Sequence, residues 1–356
     1  MNGDKKTLLV LTPGFPRTEA ETYWVPSQQQ LVQSISETCP DLQIVVVSYA
    51  YPAESAEYSW RGIEVIALGA TRRKPFLLAK LWRKARQIAH ERHVGAVVSF
   101  WCREGAWVGK RIARSRKVPH LCWICGQDAT HRNRMVRWIQ PKGTELAAIS
   151  DFVAEEFERN FRIRPRFVLP NGVRPDRFPV ADGRTRNIDI LGVGSLIPLK
   201  RFDLFIRVMA EIRKTVPQVQ ALIFGSGEDR DKLEELIHQL NLQNHIRIEA
   251  ATAQETVLAA MQRSRILLHP SAYEGFSTVC LEAIYAGARV VSRTWPMKRA
   301  IANWLVVPTD TELASSCIQL LAMPDPEPPG VFPFDIRDSA KQLVDILQIN
   351  SGHAHR

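Results

Sequence analysis

The chain has 356 residues, 45% of them apolar and 24% charged, an ordinary globular composition with length enough for two domain cores. No apolar run approaches the ~18 uncharged residues of a membrane span, and six cysteines are too few for a disulfide scaffold at this length. The net charge of +10 is lopsided: residues 1–180 hold 28 Lys and Arg against 17 Asp and Glu, and 181–356 hold 19 against 20, so only the first half presents a field for polyanions, anionic lipid or phosphorylated substrates.

The N-terminus passes from Lys5 and Lys6 straight into an apolar run with no small-residue cleavage site, so a cytoplasmic setting with reduced, mostly buried thiols is expected. Short aliphatic or β-branched runs at 7–12, 43–47, 64–67, 96–100 and 120–124 read as strands. Helical spacing over 76–92 and 104–115 falls between them, with Pro75 and Pro119 at the boundaries. A strand at 145–149 and a helix over 151–161, capped by Ser150, close the first half.

The turn-rich run 169–175 and the polar stretch 181–187 read as an interdomain connection. Strands at 188–193, 220–224, 246–249 and 266–269 then alternate with helices at 202–215, 229–240 and 253–262. That rhythm predicts two doubly wound α/β domains, 1–175 and 176–323. Residues 324–333, rich in proline and acid, read as an extended crossing, and 336–349 as a terminal helix, so that 324–356 returns toward the first domain.

The segment from Ser271 to Gly287 carries the most chemistry. A strand ends near His269, a turn holds Glu274 and Gly275, Ser277 caps a helix, and Gly287 stops it. The first-turn amides from Ser277 to Val279, with the positive end of the helix dipole, suit phosphate oxygens. Gly275 lets a ligand approach the backbone. Glu274 and Glu282 lie eight positions apart, and carboxylates accept paired hydrogen bonds from the vicinal hydroxyls of a sugar or ribose. Either glutamate alone is more simply a solvated surface residue; the coincidence of turn, cap, glycine and spacing favours a site.

Other strings follow strand ends in the same way. Gly194, Ser195, Lys200 and Arg201 come after the strand 188–193, where two adjacent cations can reach a diphosphate. Gly225, Ser226 and Gly227 come after 220–224, although tight packing explains such a turn equally well. In the first half, Gly14 lies in a loop after the first strand, and the run from Cys125 to Asp128 follows 120–124. Cys122 and Cys125 are spaced for redox chemistry or zinc, but Trp123 and Ile124 between them on a strand make buried thiols the better account. Asp229 and Asp231 open a helix, where acids complement the dipole and need no metal. The basic stretch 71–86 is amphipathic, so its apolar face should pack on the sheet, leaving a cationic face as a weak membrane or acceptor site.

These strings resemble the retaining GT-B glycosyltransferases of family 4, over nearly the whole chain and most specifically over 145–300. The resemblance implies two doubly wound Rossmann-like domains facing a central cleft, a nucleoside-diphosphate sugar as co-substrate, a glycan or lipid-linked acceptor, and no cofactor, metal or nucleic acid. It gives Glu274 contact with the transferred sugar and Glu282 contact with the ribose. Lys200 and Asp128 join Glu274 as catalytic residues, and Arg201, Gly14, Ser195, Gly225, Gly275, Phe276, Ser277 and Thr278 join Glu282 around the donor. It further implies envelope polysaccharide or glycolipid synthesis, on or near the inner face of a membrane, with domain closure bringing Gly14 and Asp128 to the donor. The chain departs from the family pattern at Ser195 (arginine there), Arg201 (glycine), Cys125 (histidine) and the single Gly14. A sugar-nucleotide 2-epimerase of similar architecture and a non-catalytic polyanion binder are the rival readings.

Overall fold

The computed structural model describes residues 5–22, 24–70, 74–180, 186–325 and 331–349. The start of the basic stretch (71–73), most of the polar connection (181–185) and the middle of the proline-rich crossing (326–330) lie outside them. Two compact units form: one takes the described residues up to Asn171 and those from Ile336 on, the other Gly172–Asp335.

The first unit runs β1 (Thr7–Gly14), α1 (Pro26–Thr38), β2 (Gln43–Tyr51), β3 (Ser55–Trp60), β4 (Ile63–Leu68), α2 (Lys74–Glu91), β5 (Val94–Phe100), α3 (Glu104–Arg116), β6 (His120–Ile124), α4 (Val136–Ile139), β7 (Leu146–Ala148), α5 (Asp151–Phe161) and β8 (Phe167–Val168). Its eight strands lie in the order β3-β4-β2-β1-β5-β6-β7-β8, parallel except where β3 pairs antiparallel with β4. β1 and β5 are buried along nearly their whole length and mostly apolar, as expected where helices cover both sheet faces. On α2, Leu77, Leu81, Ala85 and Ile88 repeat at helical spacing and enter the core against β1, β2 and β4. The Ser150 hydroxyl accepts from Val153 N at 3.1 Å and so caps α5.

Helix α1 has no counterpart in the hydrophobic pattern, because three consecutive glutamines, Gln28, Gln29 and Gln30, are buried on it. Two of them are held by polar contacts: Thr12 Oγ1 donates to Gln28 Oε1 at 3.2 Å, and Gln29 Nε2 donates to Glu21 O at 2.8 Å.

The second unit runs β9 (Ile188–Val193), α6 (Phe202–Thr215), β10 (Ala221–Phe224), α7 (Arg230–Gln239), β11 (Ile246–Glu249), α8 (Gln254–Gln262), β12 (Ser264–His269), α9 (Thr278–Tyr285), β13 (Arg289–Ser292), β14 (Trp304–Val306) and α10 (Asp310–Ala322). Its six strands are all parallel, in the order β11-β10-β9-β12-β13-β14. Phe205, Met209 and Ile212 of α6 fill the core beneath Ile190 and Ile223. The chain then enters α11 (Ile336–Leu347), which belongs to the first unit.

Both crossings between the units sit in the second. Val173 N donates to Phe334 O at 2.9 Å and Val173 bridges Asp335, so the change of unit falls at 171/172 and at 335/336, where the sequence pattern places 175/176 and 323/324. Helix α11 packs on α1, its Ser339 hydroxyl donates to Pro170 O at 2.8 Å, and Lys6 Nζ donates to Ile349 O at 3.1 Å. Because Leu343 is fully buried, Leu343→Ala should lower the stability of the first unit by about 3 kcal/mol. The test is a denaturant titration, in which an unchanged midpoint would show that α11 adds nothing to that core.

Candidate functional site in the second unit

In the second sheet, β9 is flanked by β10 on one side and β12 on the other, so the loops leaving β9 and β12 part at the topological switch point. The β9 loop ends in a short 3-10 turn, Pro198–Lys200, and the β12 loop leads through Glu274 into α9. A backbone hydrogen bond from Ala272 N to Leu199 O, 3.0 Å, staples the two loops together. Lys200 Nζ then reaches Glu274 Oε2 at 2.5 Å, with both side chains largely buried.

His269, the last residue of β12, stands behind this pair. Its Nε2 lies 3.6 Å from Glu274 Oε2 and 3.4 Å from the hydroxyls of Ser271 and Ser277. Ser277 also caps α9, accepting from Cys280 N at 3.4 Å. The cap therefore fixes the helix end and the histidine together. Gly287, at φ 88°, ends the segment in a conformation that favours glycine.

Glu282 is buried one turn and more inside α9, and Gln254 Nε2 of α8 donates to its Oε1 at 2.7 Å. Phe276 is also buried, stacked on Trp304 at 6.0 Å with Phe334 edge-on at 5.5 Å, so its side chain belongs to the packing around the site. Gly275 is buried beside it, and Thr278 opens the helix.

The glycine turn after β10 completes the edge. A Cβ at Gly225 would meet Gly194 O at 2.2 Å, and one at Gly227 would meet Leu196 O at 2.2 Å. Close packing of two loops thus requires both glycines. Ser226 Oγ accepts from Ala251 N at 3.0 Å, tying in the loop after β11. Ser195 is exposed on the β9 loop.

Arg201 is not brought to the pair. Its left-handed backbone (φ 54°) turns the guanidinium to Asp203 Oδ1 at 3.2 Å and toward Asp310 Oδ2 at 3.9 Å, and Asp310 also pairs with Arg293. Of the two adjacent cations, Lys200 alone pairs with Glu274. Asp229 stands at the N-cap position of α7 without a side-chain capping bond, and Asp231 lies in the first turn, where an acid complements the dipole.

Gly14 and Asp128 lie in the first unit, each with a local role. A Cβ at Gly14 would meet Trp24 Nε1 at 2.8 Å, and the Trp24 ring lies 4.2 Å from that of Tyr51 at a tilt of 33°, so this glycine makes room for an indole. Asp128 is 1% exposed, and its carboxylate accepts from the amides of Cys102 (2.7 Å), Gly126 (2.9 Å) and Cys125 (3.1 Å). Burial pushes its carboxyl above the usual range although those amides pull the other way. Asp128 is thus a staple between two loops, which corrects the expectation that it faces substrate. Burial likewise pushes the thiols of Cys122 and Cys125 up, away from the thiolate that redox or zinc chemistry needs.

Local spacing does not reveal His269 or Gln254 as parts of the site, nor Arg293 and Asp310 as members of the ion-pair group around Arg201. For His269 a signal existed, a polar residue ending a central strand at the switch point. The other three come from elsewhere in the chain. Among the described residues, no cluster of three or more His, Cys, Asp or Glu is arranged to hold a metal ion.

His269 is 5% exposed, and burial pushes its imidazole down to about 4, with Glu274 opposing and Lys200 assisting. In the unfolded chain the group titrates near 6.5, so the unfolded state takes up this proton first. Its effect on stability is nil above pH 6.5, grows unfavourable as pH falls toward 4, and levels off below, for about 3 kcal/mol in all. His269→Asn should therefore flatten the loss of melting temperature between neutral and acid pH, measured by circular dichroism; parallel curves for the two proteins would refute the assignment.

Three comparisons place this geometry among known proteins. The sequence model of the family described as Glycosyl transferases group 1 matches residues 175–324. The chain is 30% identical over 164 residues to the phosphatidylinositol N-acetylglucosaminyltransferase gpi3 subunit of Schizosaccharomyces pombe, covering 45% of this chain and 36% of that protein. It is 27% identical over 150 residues to the MMP α-(1→4)-mannosyltransferase of Mycolicibacterium hassiacum, covering 42% and 36%. It thus spans little more than a third of either relative. The structure of HepE from Anabaena in complex with UDP superposes with a TM-score of 0.67 at 15% identity, over 97% of each chain. Residues 175–324 accordingly match group 1 glycosyltransferases in sequence, and the two Rossmann-like, parallel-sheet units have the fold of GT-B glycosyltransferases.

Proposed function

We propose that the chain is a retaining, metal-independent glycosyltransferase that moves a hexosyl-type sugar from a nucleoside-diphosphate donor to a glycan or lipid-linked acceptor. The observation that carries this reading is the Lys200–Glu274 pair, held across the switch point of the second sheet within the segment that matches the family. The HepE structures with UDP and with UDP-glucose support the donor class, and the phosphatidylinositol in one relative's name supports a lipid-linked acceptor.

Breaking a glycosyl diphosphate develops positive charge on the sugar and negative charge on the leaving group. An arriving diphosphate exchanges with Glu274 for the Lys200 ammonium, and the freed carboxylate accepts from sugar hydroxyls. The positive end of α9 adds its dipole to the same anion. Glu282, oriented by Gln254, accepts from the ribose. The diphosphate itself takes the acceptor's proton, so no protein nucleophile is needed.

The exposed Phe76 on the cationic helix α2 supports a weak, peripheral contact with anionic membrane. No helix among the described residues is long and apolar enough to cross a membrane.

A mass-spectrometric screen of sugar nucleotides for slow acceptor-free hydrolysis tests the proposal. Glu274→Ala and Lys200→Ala should each lower turnover of the accepted donor by about 10²-fold or more, and a chelator should leave it unchanged. Full turnover in both variants would sink the reading.

A further inference from the structure

Four cations of the first unit line a cavity that the donor chemistry does not use. It measures about 670 Å³ and lies between the carboxyl end of α3, the start of β6 and the residues leading into β7. These are the amino ends of the strands, the edge opposite the one at which β1 and β6 deliver Gly14 and Asp128. Ligands of doubly wound sheets bind at the carboxyl edge, so this is a separate place.

Its wall carries Lys110, Arg111, Arg114 and Lys142 against one carboxylate, Glu145. Glu145 is already engaged, accepting from Lys110 Nζ at 2.9 Å and Lys142 N at 2.7 Å. Lys110 also donates to Gln140 O at 2.6 Å. Arg111 lies over the Trp107 ring at 3.6 Å and donates one N–H to Trp107 O at 3.0 Å. Burial and then the neighbouring Arg114 push its guanidinium down. Among the described residues no carboxylate pairs with the side chains of Arg111, Arg114 or Lys142. Like charges left uncompensated in one concavity favour a bound anion.

Val118, Leu121, Ile139 and Leu347 add apolar wall, as does Trp138, which is 72% exposed, while His120, Gln140 and Thr144 are its uncharged polar members. An inorganic phosphate replaces only a few waters of ~30 Å³ each and would leave most of this volume empty. We propose that the cavity binds a phosphorylated amphiphile, with its phosphoryl group on Arg111, Arg114 and Lys142 and its apolar part against Ile139 and Trp138. The shared chemistry is a phosphate ester with an apolar substituent, from a soluble metabolite or from a lipid headgroup.

The test titrates the full chain with hexyl phosphate, following tryptophan fluorescence, and sediments it with vesicles of phosphatidic acid. Saturable binding is expected, with an emission change that Trp138→Phe abolishes. Arg114→Glu and Lys142→Glu, both at exposed positions, should each weaken binding about tenfold or more, the worth of one charged contact. Rising salt should weaken it as well. Sedimentation that hexyl phosphate reverses assigns the ligand to lipid, and saturation without sedimentation assigns it to a soluble ester; both support the site. Absence of saturation by either probe, or full affinity in both charge reversals, overturns it. UDP titration of the same variants separates the two sites, since donor affinity in the second unit should be unaffected, and circular dichroism checks that each variant folds. Should a reversal fail to fold, Arg114→Gln replaces it, with the same expected loss.

Discussion

A parallel sheet opens a ligand crevice only where neighbouring strands send their chains off in opposite directions, and in the second unit that seam lies between β9 and β12. The rest of the candidate site follows from it. One loop contributes a lysine, the other a glutamate, and a single backbone hydrogen bond between Leu199 and Ala272 sets their separation. Glycines at 225 and 227 then let the next loop close down on the same edge, because any side chain there would run into carbonyl oxygens.

Charge compensation organises the surroundings. Lys200 is balanced by Glu274, and Arg201, one residue later, by Asp203 and Asp310. Two adjacent cations are thus sent to different acids by one left-handed backbone residue. The neutral His269 packs behind the carboxylate without adding a second positive charge, because its burial costs more than Glu274 returns.

Much of this was legible in the sequence, for identifiable reasons. The β/α rhythm, the Ser150 and Ser277 caps and the turn around Glu274 all depend on residues within one helical turn of each other, and local spacing shows them. What escaped depends on distant partners. Asp128 reads as a site residue by its neighbours, yet its carboxylate is claimed in part by the amide of Cys102, from a loop the sequence does not mark. Helix α1 hides because buried glutamines interrupt its apolar face. Strands β3, β13 and β14 and helix α10 were absent from the pattern read along the chain. The first is an exposed, largely polar edge, the next two have four and three residues, and α10 announces itself only by the capping box of Thr309 and Glu312.

The return of α11 to the first unit has a consequence for biosynthesis. Residues 172–335 are contiguous and bring their whole core with them as they emerge from the ribosome. The earlier-made sheet, by contrast, leaves one side of α1 uncovered until Ile336–Leu347 has been translated. The half that begins first is therefore completed last, and for more than 160 residues of elongation, those from Gly172 to Asp335, its exposed apolar surface is a target for chaperones.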